Sequence, residues 1–336
     1  MYRLREATYW IGKILIGFVV FLVVIILTLT IMSHTRIFAK TIPEINSVTD
    51  LKILMSTVGK STDIPVVSKL FSMVNSDYVY KPSTTFDIKM YPYYGQLNDD
   101  EKLIYTQIYE NTERMKHSFF LANQELSEEQ VENAWLAVCY DHPELFWVGD
   151  DCSLSSSKDG KVLSMYVEYN DLEKNIEENK KNFRKIVNDI VFDADNYKSV
   201  QGKELFVHDK LAQMVDYDIN AEHDQSAYGA LIDRNTACGG YARAFQYIMT
   251  KCGVPCYYVT GWSDGNHAWN IVEIEGEYYN VDLTWDDTLD SHSFMNRTDD
   301  DFKTTHVRRE NALQLPECNG STYRNTEPMP IVKRVD

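Results

Sequence analysis

A polar, turn-prone approach, Asn235-Thr236-Ala237, gives way at Cys238 to a run of helical periodicity in which Tyr241, Ala242, Phe245 and Met249 share one apolar face. Lys251, Gly253 and Pro255 follow as stop signals. No other stretch constrains the chain as much, because this one seats a cysteine at the positive end of a helix. Unpaired N–H groups and the macrodipole there favour thiolate over thiol. Gly239 and Gly240 each lower helix propensity by about 1 kcal/mol relative to alanine, so close approach of a substrate backbone is one expectation for them. The plain alternative for Cys238 is a small buried hydrophobe, the common role of a free cysteine.

The downstream residues favour the first reading. Residues 255–261 and 266–274 read as strands joined through the turn-rich Ser263-Asp264-Gly265, and Glu275-Gly276-Glu277 turns into a third strand over 278–284. In the simplest antiparallel wiring, His267 near the start of one strand comes out roughly opposite Asp282 near the end of the next. An imidazole so placed accepts a thiol proton and hands it to a leaving amine, while the carboxylate fixes its tautomer.

Cys238-Gly239-Gly240-Tyr241-Ala242, Gly253-Val254-Pro255, Gly261, His267-Ala268-Trp269-Asn270 and Val281-Asp282-Leu283-Thr284-Trp285-Asp286-Asp287 occur in order and at suitable spacing. Together they resemble the core of the transglutaminase-like superfamily, including its bacterial and kyphoscoliosis-peptidase-like members, over roughly the last third of the chain. The resemblance implies an α+β, papain-like core, with the cysteine at the N-terminus of a helix packed on an antiparallel sheet. It makes Cys238 the nucleophile, His267 the general base and acid, and Asp282 the orienting carboxylate. Thr236-Ala237-Cys238-Gly239 departs from the Gly-Gln-Cys-Trp of animal transglutaminases, which counts against glutamine–lysine crosslinking. The length leaves no room for their flanking β-domains, so their calcium dependence does not carry over.

The backbone N–H of Cys238 is the natural first oxyanion donor. Tyr217, Gln225, Tyr228 and Gly239 are candidates for the cleft, each with packing or helix capping as the plainer role. Trp269 and Trp285 either wall the cleft or fill the core, and core filling is the commoner role. No cofactor is called for. Cys252 and Cys256 lack a matching second pair for zinc, and the acidic Asp286, Asp287, Asp290 and Asp299-Asp300-Asp301 lack the glycine and terminal glutamate of an EF-hand loop, so they read as solvated. No metal site is therefore expected. Cys139, Cys152 and Cys318 are free to pair in an oxidising compartment.

Residues 14–32 carry no charge and, with Tyr9 and Trp10 at the near end, are long enough to cross a bilayer as a helix. Arg3, Arg5 and Lys13 precede the stretch, so the N-terminus is expected in the cytoplasm and the rest outside the membrane. No small-x-small cleavage site follows, which favours an uncleaved anchor over a signal peptide. The net charge of −17 argues against a nucleic-acid partner.

The organisation expected is a tail (1–12), a transmembrane helix (13–33), a stalk (34–84), an accessory α/β region (85–195) and a catalytic domain (196–336). Within the accessory region, Asn98 and Ser127 each open a helix through a capping box. Residues 86–91, 145–148 and 162–167 read as strands, and Leu172 through Val191 mark a long amphipathic helix. Another helix runs over 204–215. The function expected is that of a membrane-anchored, extracytoplasmic cysteine acyl-transfer enzyme, either peptidase or transglutaminase in outcome. Its partners would be proteins or peptides at the cell surface or wall. The rivals are a catalytically silent peptide-binding module and an ectodomain with Cys238 in a disulfide.

Overall fold

The computed structural model describes residues 80–330 apart from 158 and 312. The tail and the membrane span expected over 1–33, and most of the stalk, lie outside these residues. Among the described residues no helix is long and apolar enough to cross a membrane.

The accessory region opens with α1 (Pro92–Gln96), α2 (Asp99–Glu113), β1 (Ser118–Phe120) and α3 (Glu128–Asp141). β2 (Val148–Ser156) and β3 (Val162–Tyr169) follow, then a 3-10 turn (Asp171–Asn175) and α4 (Ile176–Ala194). Both expected capping boxes form: Asn98 Oδ1 accepts from Asp100 and Glu101 N–H while Glu101 accepts from Asn98 N–H, and Ser127 and Gln130 make the reciprocal pair. Each box satisfies donors that a helix start otherwise leaves to solvent, worth about 1 kcal/mol. β1, β3 and β2 pair antiparallel in that spatial order.

Two strand expectations fail here. Residues 88–90 form a turn leading into α1, because Pro92 takes a first-turn position where its missing N–H costs nothing. Leu145, Phe146 and Trp147 are turn residues whose side chains are buried, and the strand begins only at Val148. Their apolar character reflects burial rather than extended backbone.

The second half contains α5 (Val200–Met214), β4 (Asp216–Tyr217), a π-turn (Gly229–Asp233), β5 (Asn235–Thr236) and α6 (Cys238–Lys251). Then come β6 (Cys256–Trp262), β7 (Asn266–Ile274), β8 (Glu277–Val281), α7 (Leu283–Thr288), α8 (Asp299–Phe302) and β9 (Val307–Arg308). β8, β7, β6 and β9 form one antiparallel sheet in that order, and β4 pairs parallel with β5. The expected third strand stops at Val281. Asp282 is instead the N-cap of α7, its carboxylate accepting from Trp285 N–H.

α6 packs against β6 and β7, as its apolar face requires, but it is buried on nearly every side rather than on one stripe. Arg243 reaches Cys139 O, and Gln246 reaches Tyr140 O and Cys256 O, so even its polar side chains point into protein. Gly253, at φ +80°, ends the helix, with Val254 N–H reaching back to Met249 O. The largest apolar cluster runs from Tyr93 to Leu313 and so crosses the expected boundary near 195. Tyr93 OH donates to Tyr258 O at 2.6 Å, a buried bond from α1 to β6.

Tyr93→Phe removes that donor while keeping the ring. The expected cost is about 1–3 kcal/mol of unfolding free energy, read from the urea midpoint. An unchanged midpoint would mean that α1 and β6 are held together by apolar packing alone.

Candidate active site

Cys238 is the first residue of α6 and 8% exposed, and no side chain caps that helix start. The first-turn N–H groups in front of the sulfur are therefore not taken up by a capping side chain. Gly239 and Gly240 are explained by the protein's own loop rather than by a substrate. A Cβ at 239 would lie 2.1 Å from Gln225 Oε1, and one at 240 would lie 1.9 Å from Thr236 Oγ1 and 2.8 Å from Ser226 O.

His267 is the second residue of β7, paired with Gly261 across the ladder. Asn270 and Val281 are the last pair of β7 with β8, so Asp282 lies one step beyond the ladder and diagonal to His267 rather than opposite it. Its position as helix cap turns the carboxylate back toward the ring. His267 Nε2–H donates to Asp282 Oδ2 at 2.7 Å. That leaves Nδ1 for Cys238, whose thiol adjoins the ring closely enough to raise its proton affinity.

Electrostatics follow this arrangement. Burial alone would lower the His267 pKa, but the Asp282 charge and hydrogen bond, with Cys238, push it up to about 10. Burial would raise the Asp282 carboxyl, yet the charge and hydrogen bonds of its two histidine neighbours hold it well below the usual carboxylate range.

The second of those histidines is His306, which the sequence reading missed. Its Nε2–H donates to the same Oδ2 at 2.8 Å, and Thr305 Oγ1 lies 2.8 Å from its Nδ1. Burial lowers its pKa, with the His267 charge acting in the same direction. One fully buried carboxylate oxygen thus serves two imidazoles, one facing the thiol and one facing the core. His306 stacks on Phe302, and nothing in its local sequence distinguishes it from a core histidine.

The six expected cleft residues divide. Tyr217 is half-exposed on β4, and its phenol pKa is raised by burial and then by the charges of Cys238, Asp282 and Asp224. Gln225 lies against Gly239 at the helix start. Tyr228 belongs to the core instead, its OH on Asn179 and its ring 4.8 Å from that of Phe146. Trp269 is buried, with Nε1–H on Asn280 Oδ1, and its ring is stacked 6.2 Å from that of His267. Trp285 is half-buried, with Nε1–H on Ser263 Oγ and its ring 6.4 Å from His267. Both tryptophans therefore fill space around the imidazole. A cavity of about 370 Å³ opens between α3 and residues 222–227, where Gln225 and Arg243 are among its walls.

None of the six cysteines is in a disulfide, so neither the Cys139, Cys152 and Cys318 pairing nor a bridged Cys238 is found. The acidic run is not simply solvated. Asp286 is buried, bonded to His208, Ser291 and Phe294 N–H, and Asp287 accepts from Tyr241 OH.

Residues 184–283 match the family described as the transglutaminase-like superfamily, a span that holds Cys238, His267 and Asp282. Kyphoscoliosis peptidase of Mus musculus is 35% identical over 21% of this chain and 14% of its own length. The protein of the same name from Homo sapiens is 36% identical over the same shares. The chain thus matches only a small part of those curated relatives. The crystal structure of a TGase aligns with a TM-score of 0.29 and 15% identity, covering 50% of each chain. The segment from within α4 to the start of α7 is a member of the transglutaminase-like superfamily.

Proposed function

We propose that this chain is a cysteine acyl-transfer enzyme acting on protein or peptide amides. The observation that carries the reading is a single imidazole meeting the Cys238 thiol on one side and the buried Asp282 carboxylate on the other. In the proposed reaction the Cys238 thiolate attacks the amide carbonyl carbon, and the developing oxyanion is met by the Cys238 N–H. Tyr217, whose phenol senses the Cys238 charge, is the candidate for the second donor. As the C–N bond breaks, His267 gives its proton to the leaving amine and a thioester remains. Water or a second amine then attacks the thioester, His267 takes the proton back, and the thiolate is released. Water makes the enzyme a peptidase or amidase. An amine makes it a transglutaminase.

The proposal includes a bilayer anchor at residues 13–33 with the catalytic region outside the membrane. Its support is the charge-free run of 14–32, together with Arg3, Arg5 and Lys13 before it. Proteins or peptides of the cell surface or wall are the substrates that this location offers.

Iodoacetamide labelling with peptide mapping tests the nucleophile. Cys238 is expected to alkylate faster than a model thiol at pH 6–7, and His267→Ala to slow it by roughly tenfold or more. Equal rates in the two proteins would remove the main support for the reading. A labelled amine offered with a peptide library distinguishes the outcomes: peptide–amine products mark transfer, and new peptide termini mark hydrolysis. Cys238→Ala should abolish both.

The His267–Asp282 contact also predicts a pH dependence of stability. His267 titrates above its unfolded value, so its contribution is complete below about pH 6.5 and fades as pH rises through about 10. Asp282 titrates below its unfolded value, so its contribution is present above about pH 4 and fades as pH falls further. Asp282→Ala strands two imidazoles around an uncharged gap and should cost about 3–5 kcal/mol. The difference from wild type, measured by urea unfolding, should be largest between about pH 4 and 6.5 and shrink on both sides. A difference that stays constant with pH would contradict the charged pair.

A further inference from the structure

Away from Cys238, two histidines and an aspartate meet where α5 packs against the loop that follows α7. We propose that His208, Asp209 and His292 bind a divalent transition-metal ion of the zinc type. His208 Nδ1 lies 3.2 Å from Asp209 Oδ1, and His292 Nε2 lies 2.6 Å from that same oxygen. The three donor atoms all fall within 4.8 Å of one another. Ligands of a tetrahedral zinc at about 2.0–2.2 Å sit roughly 3.3 Å apart, so the His208–Asp209 edge already fits. The shorter edge opens by a small movement of His292, whose side chain is half-exposed.

The stronger observation lies behind the donors. His208 is buried, and its other nitrogen, Nε2, is bonded to Asp286 Oδ2 at 3.2 Å. Asp286 is itself buried and fixed, because its Oδ1 accepts from Phe294 N–H at 2.8 Å and from Ser291 Oγ at 3.1 Å. A carboxylate that holds the far side of an imidazole sets its tautomer and raises its basicity, the usual support of a metal-binding histidine. Here it presents Nδ1 toward Asp209 and His292. The neighbouring bond from Asn296 to Glu204, one turn before His208, pins the same loop to α5.

The donor chemistry selects the ion. Two imidazole nitrogens and one carboxylate oxygen suit zinc, whereas calcium and magnesium take oxygen ligands. Two other groupings have comparable spacing but lack this support. His223 also has both nitrogens on carboxylates, but those of Asp171 and Asp233 are partly open to solvent, whereas the Asp286 carboxylate behind His208 is fully buried. His267 and His306 share Asp282, and His267 is occupied by Cys238. Solvent completes the fourth position at His208, since Asp209 and His292 are both partly open to it. A bound ion would clamp α5 to the segment after α7. Asp286 belongs to that short helix, which Asp282 caps, so the clamp steadies the element bearing the His267 partner.

The test uses the full chain, stripped with a chelator and titrated with Zn²⁺ against a chromophoric competitor, then with Co²⁺ for its visible bands. One saturable ion per chain is expected, with Co²⁺ bands of low coordination number and a higher melting temperature when loaded. His292→Ala, at an exposed position and with its fold checked by circular dichroism, should abolish saturable uptake. Asp286→Asn should weaken it roughly 10- to 100-fold. The proposal is overturned if the wild type takes up no ion saturably. It is equally overturned if His292→Ala binds as well as wild type, or if uptake disappears in His267→Ala but persists in His292→Ala. Because the readout is metal binding, it stands or falls independently of any activity at Cys238.

Discussion

One fully buried carboxylate organises the second half of this protein. Asp282 closes β8, caps α7 through Trp285 N–H, and receives an N–H from each of two imidazoles. An ionised group in so dry a place is tolerable only when its lone pairs are used, and here three hydrogen bonds fall on two oxygens. The sheet brings His267 to it, the return of the chain through α8 brings His306, and α6 brings the thiol to the far side of His267. Loss of that charge would leave each of these elements without its common point of attachment.

The surroundings of Cys238 depend on a second constraint, steric rather than electrostatic. Gly239 and Gly240 admit Gln225, Thr236 and Ser226 against the helix start, so Cys238 is held by the loop that precedes it. Trp269 and Trp285 occupy the space around His267 and limit how far the ring can turn. The thiol and the imidazole therefore meet between elements that packing holds on both sides.

Much of this was legible because the signals were local. A capping residue three positions before its reciprocal partner, as at Asn98 and Ser127, announces a helix without tertiary help. So does the change of character at Cys238. Errors arose where one composition serves two structures. Leu145, Phe146 and Trp147 are apolar because they are buried, which turns and strands share, and Leu283-Thr284-Trp285 resembles strand although Asp282 starts a helix there. Long-range partners left no trace: His306 meets Asp282 only after the chain has folded back through α8. Asp286 sits in an acidic run that composition marks as solvated, yet packing against α5 buries it. Gly239 and Gly240 were singled out correctly as positions of close approach, but the approaching group belongs to the protein.

The short parallel ladder of β4 with β5 fixes the path of the chain into Cys238. Asp216 N–H reaches Arg234 O and Asp218 N–H reaches Thr236 O, which cinches the intervening residues into a loop closed at its base, immediately before the nucleophile. Within that loop Asp224 O is bonded to Ala237 N–H, so its middle is sewn to the helix start, while Ile219, next to the closed base, stands exposed. The residues that lead into Cys238 are thus fastened at both ends by the chain's own backbone and not by side-chain packing alone.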